Sequence, residues 1–291
     1  MRSMLTIAAL SGVVLSGINL PVYAQQTGPA PVINIIRESI KEGRTTAHER
    51  VEADFAATFR KGNHPAHYVA LEAMSGLNEA WFIEPMASFA ANEEFEKASD
   101  KEPLKSALAM MDSRDGELRS SSHTIWAVYR PDISYHPEKF DGVKTRFVMA
   151  GTFRVRLGRE ADFTAGTKTY FGAMEKANID ECNLGYQVVA GAPAGTYLFF
   201  TPMLSMKEMD EEPARMQALQ QAMGAENFSQ FMKSAGDVIA SIEDTLLEVK
   251  PGMSYAPQRY IDADPAFWKP KPAARPASAA APETKPPEKK P

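Results

Sequence analysis

Hydrophobic positions along this chain change period several times, and each change marks an element. Val32-Ile33-Asn34-Ile35-Ile36 is a β-branched run that continues to Ile40 and predicts a strand ended by Gly43. Thr46 then stands three residues before Glu49, a capping-box spacing. Val51, Phe55 and Phe59 recur at every fourth position, so a helix is expected as far as Gly62-Asn63-His64-Pro65. Residues 67–74 and 79–83 read as strands joined by the turn Ser75-Gly76-Leu77-Asn78. A polar, helix-favouring stretch covers 92–118, broken near Pro103, with Leu104, Leu108 and Met111 suited to one face. Residues 124–130 form the next strand, closed by Pro131.

The same order then returns. Residues 147–156 read as a strand ending near Gly158, and Phe163, Thr167, Tyr170, Phe171 and Met174 mark one helix face. Residues 185–190 and 196–200 are strands around Gly191-Ala192-Pro193-Ala194-Gly195. Residues 206–240 are helical in composition with an interruption at Gly224, and 246–250 are the last strand, closed by Pro251. Short echoes accompany this order. Pro131-Asp132-Ile133-Ser134-Tyr135 returns as Pro251-Gly252-Met253-Ser254-Tyr255, and Glu84-Pro85-Met86-Ala87-Ser88 as Thr201-Pro202-Met203-Leu204-Ser205. Gly43-Arg44 likewise returns as Gly158-Arg159. The pattern predicts an α+β chain of two tandem ferredoxin-like (β-α-β-β-α-β) units, 32–135 and 146–255. Val188-Val189 and Tyr197-Leu198-Phe199-Phe200 are apolar on both sides, so the sheet face not covered by helices must also be buried. The simplest cover is the other unit's sheet, which makes a pseudo-dimeric α+β barrel with helices outside.

The two ends read differently from the rest. Residues 1–24 carry one early charge, Arg2, an apolar stretch over 4–20, and Val22-Tyr23-Ala24 before Gln25, which is the form of a cleaved signal peptide. Export to the periplasm or the exterior is expected, with no membrane insertion after cleavage. Residues 269–291 are almost entirely Pro, Ala, Lys and Glu and are expected to be a disordered tail, open to contact with the cell envelope. Cys182 is the only cysteine, so stability must come from the core and not from an internal disulfide. A net charge of −5 gives no reason to expect nucleic acid or an anionic membrane surface as partner.

Two segments carry a family resemblance. Arg154-Val155-Arg156-Leu157-Gly158-Arg159-Glu160-Ala161-Asp162-Phe163 runs from a strand through a glycine turn into an acidic-aromatic helix start. Gly195-Thr196-Tyr197-Leu198-Phe199-Phe200-Thr201-Pro202-Met203 leads from a strand toward a short helix. In these the chain resembles the dimeric α+β barrel superfamily, which includes antibiotic-biosynthesis-monooxygenase-like and NIPSNAP-like domains. The resemblance covers roughly residues 32–255 and is one of pattern. It implies two fused units enclosing a small-molecule pocket, and carries no catalytic residue across.

The side chains offer few chemical signals. Trp81, His123, Trp126, Tyr186 and Tyr197 lie on predicted strands, or just before one, and are the candidate lining of a lumen. Arg154 and Arg156 share a strand face with Thr152 and, if inward, would hold an anion. His64 and His67 are close in sequence but lie in a turn and lack a third spaced ligand, so no metal site is assigned. His48 is expected on a helix surface and His136 in a loop, and no local motif selects a haem ligand among the five histidines. No cofactor is expected, although haem stays open. Acidic neighbours raise the Cys182 thiol, against a nucleophilic role. The expected function is binding of a small apolar or aromatic molecule, or a purely structural barrel. The alternative is a cofactor-independent monooxygenase-like enzyme with its aromatic-lined pocket between the sheets.

Overall fold

The computed structural model describes residues 28–269; the leader read at 1–24 and the tail beyond residue 269 lie outside the described residues. The described strands are β1 (Val32–Ile40), β2 (Val69–Ala73), β3 (Glu79–Met86), β4 (Arg119–Tyr129), β5 (Phe147–Val155), β6 (Leu184–Ala190), β7 (Thr196–Met203) and β8 (Ile239–Val249). They close into one barrel in the order β1-β3-β2-β8-β5-β7-β6-β4, every pair antiparallel. The first four strands lie in the order β4-β1-β3-β2 and the last four in the order β8-β5-β7-β6. The two halves join at β2–β8, where Leu71 opposes Val249, and at β4–β6, where Ala127 opposes Val188.

Helices α1 (Thr45–Lys61), α2 (Ala90–Ser99) and α3 (Leu104–Gly116) connect strands of the first half. In the second half the connections are α4 (Glu160–Lys176), α5 (Lys207–Asp210), α6 (Glu212–Met223) and α7 (Ala225–Val238). Two short helices, α8 (Gln258–Ala263) and α9 (Pro265–Trp268), follow β8. The period-two alternation explains why both strand faces are apolar. Ile33 and Ile35 of β1 point into the barrel with Leu71, Trp81, Ile125, Leu198 and Leu247. Ile36 and Ile40 point the other way and pack with Ala70, Ala80 and Phe82. The face that the helices leave uncovered is the barrel interior.

Several elements differ from the sequence reading. β4 begins at Arg119 and β8 at Ile239, well before the predicted 124 and 246. Their leading residues, Ser120–His123 in one and Ala240–Glu243 in the other, are exposed and mostly polar, so they carry no apolar signal. Ladder pairing to β1 and β5 holds them extended all the same. Thr46 does not cap α1: the helix starts at Thr45, and its N-cap residue, Arg44, makes no side-chain cap bond. Helices α8 and α9 were not anticipated at all.

Candidate functional site

The barrel interior is packed in the middle and differs at its two ends. Along β1, Ile33 lines one end, Ile35 lies between, and Arg37 and Ser39 line the other. The end near Ile33 contains a cavity of about 620 Å³. Val69, Leu71, Val148, Leu184, Tyr186 and Phe200 form its strand wall, and Phe140, Val143, Pro257 and Tyr260 close over it. The Tyr186 hydroxyl donates to the Ala30 carbonyl at 3.1 Å, and its ring lies 5.4 Å from Tyr129 and 5.9 Å from Phe200. Burial, with Tyr129 beside it, raises the Tyr186 phenol far above its ordinary range. The cover is held by Trp268, whose indole N–H donates to the Val143 carbonyl at 2.8 Å. Arg146 adds an ion pair to Asp264 and stacks 3.8 Å over the Phe267 ring.

Trp81, Ile35, Ile125, Leu198 and Leu247 fill the waist. The Trp81 indole N–H donates to Glu79 Oε2 at 2.9 Å, and Arg37 lies 4.2 Å over the Trp81 ring while donating to the same oxygen at 2.7 and 3.0 Å. Beyond this waist, Arg37, Ser39, Glu79, Ser121, His123 and Arg154 line a smaller polar mouth of about 250 Å³. Both guanidinium groups in it are already engaged. Arg37 is paired with Glu79, and Arg154 donates to the Thr196 hydroxyl and the Pro193 carbonyl. Gly191 shapes the rim: its φ of +84° is left-handed, and a Cβ there would fall on the Thr124 carbonyl oxygen.

The five aromatic or imidazole residues singled out in the sequence are therefore distributed over two faces. Trp81 is in the waist, Tyr186 in the apolar cavity and His123 at the polar mouth. Trp126 and Tyr197 point outward. Trp126 packs with Val32 and Met86, 5.9 Å from Phe89, and Tyr197 lies 4.7 Å from Phe163 of α4. Strand parity decides this, because His123 and Trp126 are an odd number of positions apart and cannot share a face. Arg154 does point inward, on the face shared with Thr152. His64 and His67 do not converge. His64 bonds to the Phe95 carbonyl and the Ser99 hydroxyl, whereas His67 Nδ1 is 3.2 Å from the Tyr255 carbonyl. His48 is not on the surface but fully buried. Burial, with Glu138 and Glu181 adding to it, pushes the Cys182 thiol up to about 12, so a thiolate is absent at neutral pH. The covering residues Phe140 and Tyr260 lie outside the predicted elements, Phe140 in the connection before β5 and Tyr260 in 256–268, neither of which carries a long periodic run.

One carboxyl on the outer face links fold to pH. Glu84 of β3 opposes Asn34, whose side-chain amide donates to it at 3.5 Å. Burial, with Glu96 as a like charge, raises it to about 7. The folded chain thus keeps a proton that the unfolded chain loses near its ordinary carboxylate range. Stability should fall as pH rises from about 4.5 to 7, by up to about 3 kcal/mol from this group. Glu84→Gln is expected to flatten that part of the profile and to stabilise the chain at pH 8. Urea unfolding at pH 5 and pH 8 measures both effects, and an unchanged slope in the variant would contradict the assignment.

No protein-family model matches this chain, and no curated protein matches it. Solved structures do resemble it. An anthrone oxidase-like protein is 12% identical, with a TM-score of 0.49, over 78% of this chain and 93% of that one. A mutant chlorite dismutase from Candidatus Nitrospira defluvii, in complex with cyanide, is 10% identical, with a TM-score of 0.47, over 77% and 92%. A proposed monooxygenase from Fusobacterium nucleatum is 12% identical, with a TM-score of 0.49, over 76% and 93%. These neighbours are dimeric α+β barrel proteins at low sequence identity. The likeness concerns the fold, and no residue role is carried over from it.

Proposed function

We propose that this chain is an exported, non-catalytic barrel that binds one small apolar or aromatic molecule in the cavity lined by Tyr186, Phe200 and Tyr260. The observation that carries the reading is the cavity itself: about 620 Å³, walled by aliphatic and aromatic side chains, and covered by a segment with its own anchors. Two of its polar groups are engaged elsewhere, Lys139 with Asp180 and His67 with Tyr255. No acid, base and nucleophile converge in it among the described residues, which favours binding over the monooxygenase-like alternative.

The reading also takes 32–135 and 146–255 as copies of one unit. The equivalent strand orders support this, as do the left-handed glycines Gly43 and Gly158 before α1 and α4. The matching 3₁₀ turns Pro131–Ile133 and Pro251–Met253 support it further.

The test uses the mature chain and the fluorescent probe 1-anilinonaphthalene-8-sulfonate. One site per chain is expected. Val69→Phe, which puts a ring into the cavity from β2, should weaken probe binding at least tenfold with the thermal midpoint nearly unchanged. Equal affinity in the variant would remove the cavity reading. Native mass spectrometry with an absorbance spectrum of the same sample reads any retained ligand, haem included. Of the five histidines His67 alone lines this cavity, so a haem band should vanish in His67→Ala.

A further inference from the structure

Outside the barrel, under α1, four ionisable side chains from three elements meet in the protein interior. Glu38 comes from β1, His48 and Glu52 from one face of α1, and Asp115 from the end of α3. Their exposures are 4, 0, 6 and 1%. We propose that Glu38, His48, Glu52 and Asp115 bind one divalent first-row transition-metal ion, such as Zn²⁺, Mn²⁺ or Fe²⁺.

The geometry is that of a ligand set. His48 Nε2 lies 3.0 Å from Glu38 Oε2, 3.5 Å from Asp115 Oδ1 and 4.0 Å from Glu52 Oε1. One donor atom from each residue lies within 4.8 Å of all the others. Bonds of about 2.1 Å in a tetrahedron place neighbouring ligand atoms about 3.4 Å apart, in the middle of those spacings. His48 and Glu52 reach the same point because they stand four apart on one helix face.

The charges point the same way. Three buried carboxylates face one guanidinium, that of Arg119, which bonds Glu38 and Asp112 and lies 3.3 Å from Asp115 Oδ2. Fully ionised, the three acids and Arg119 leave two negative charges uncompensated in the interior, which a dication cancels. An independent feature is the Asp115 side chain. It is 1% exposed, points into the cluster, and neither oxygen has a hydrogen-bond partner. Its contacts with Arg119 at 3.3 Å and His48 at 3.5 Å are not hydrogen bonds, and a buried carboxylate so weakly held is costly, which a bound cation would offset.

The donor set chooses the class of ion. One imidazole with three carboxylates suits zinc, manganese or ferrous iron. It does not suit calcium, which takes six to eight oxygens. The Glu38 carboxylate is held in place by Arg119 and by the Ser122 hydroxyl at 3.4 Å, as outer partners usually hold ligands. His48 Nδ1 has no such partner, so micromolar rather than nanomolar affinity is expected.

Protons are the competing occupants. Burial foremost, with Glu38 as neighbour, raises Glu52 well above its ordinary range and Asp115 to about 6. The two occupants respond oppositely to an amide in place of an acid. Glu52→Gln and Asp115→Asn mimic the protonated acids, so both variants should fold, but each removes a ligand.

The experiment takes the untagged mature chain, stripped with chelator and dialysed. It measures bound Zn²⁺ and, separately, Mn²⁺ by equilibrium dialysis with elemental analysis. One ion per chain, a thermal midpoint several degrees higher with metal than in chelator, and affinity at least a hundredfold weaker in each variant are the expected results. Absence of stoichiometric binding, or binding unchanged in both variants, overturns the proposal. If a variant fails to fold, X-ray absorption of the Zn²⁺-loaded wild-type chain decides instead. A shell of one nitrogen and three oxygens supports the site, and a sulfur neighbour or several nitrogens overturns it.

Discussion

Trp81→Ala should lower the free energy of unfolding by about 3–5 kcal/mol, the range for removing a large ring from a packed interior. Trp81 is 1% exposed and sits in the barrel waist among Ile35, Ile125, Leu198 and Leu247. The strands around it are closed by ladders on both sides, so the walls cannot collapse inward to fill the void. The substitution also removes the indole donor to Glu79, leaving Arg37 as the carboxylate's main partner. Trp81→Phe separates the two contributions. It keeps most of the buried area and loses the hydrogen bond, so a smaller cost of about 1–2 kcal/mol is expected. Urea unfolding followed by far-ultraviolet circular dichroism measures both. A cost below 1 kcal/mol for the alanine variant would mean that the waist is not packed as described.

Trp268→Ala should cost a similar amount, about 3–5 kcal/mol, but with a local signature. Trp268 is as buried as Trp81, yet it belongs to the segment that covers one end of the barrel and not to the barrel itself. Its loss deletes the bond to Val143 and the ring contacts to Tyr260 and Phe267 at 5.1 Å. The Arg146 contacts with Asp264 and Phe267, and the packing of Tyr260 and Ile261 on the core, would then hold the cover. Hydrogen exchange should speed up across residues 257–269 and 140–145 while β5 and β7 stay protected. Uniform acceleration over the whole barrel would contradict the separation between cover and barrel. The same variant should also change anilinonaphthalene sulfonate binding, because Tyr260 forms part of the cavity wall.

Much of this architecture is legible in the sequence for specific reasons. The apolar runs of β1, β5 and β7, the periodic faces of α1 and α4, and the glycine turns at Gly43 and Gly158 are local signals, and the structure places elements there. Burial of both sheet faces is read from two runs: in Tyr197-Leu198-Phe199-Phe200, Leu198 and Phe200 line the interior and Tyr197 and Phe199 pack under α4, whereas in Val188-Val189 the second valine is exposed. What could not be read is set by tertiary contact. The polar starts of β4 and β8 are strands because β1 and β5 pair with them. Residue type alone groups Trp126 and Tyr197 with Trp81 and Tyr186, and the register that fixes parity is not written locally. His48 and Glu52 offered a signal, an imidazole and an acid four apart on a helix. Glu38 and Asp115 join them only once β1 and α3 pack against that helix.

Closure of the barrel has a consequence for how the chain behaves in a crowded compartment. A sheet with free edges can recruit a strand from a neighbour; here every described strand is flanked on both sides. Strand exchange or fibrillar growth must first break a seam between the halves. The β2–β8 seam is the weaker candidate, since its register runs only from Leu71 to Ala73. The polymerisation resistance of this chain is thus concentrated in a few residues of the shortest described strand, and partial opening there would expose two backbones at once.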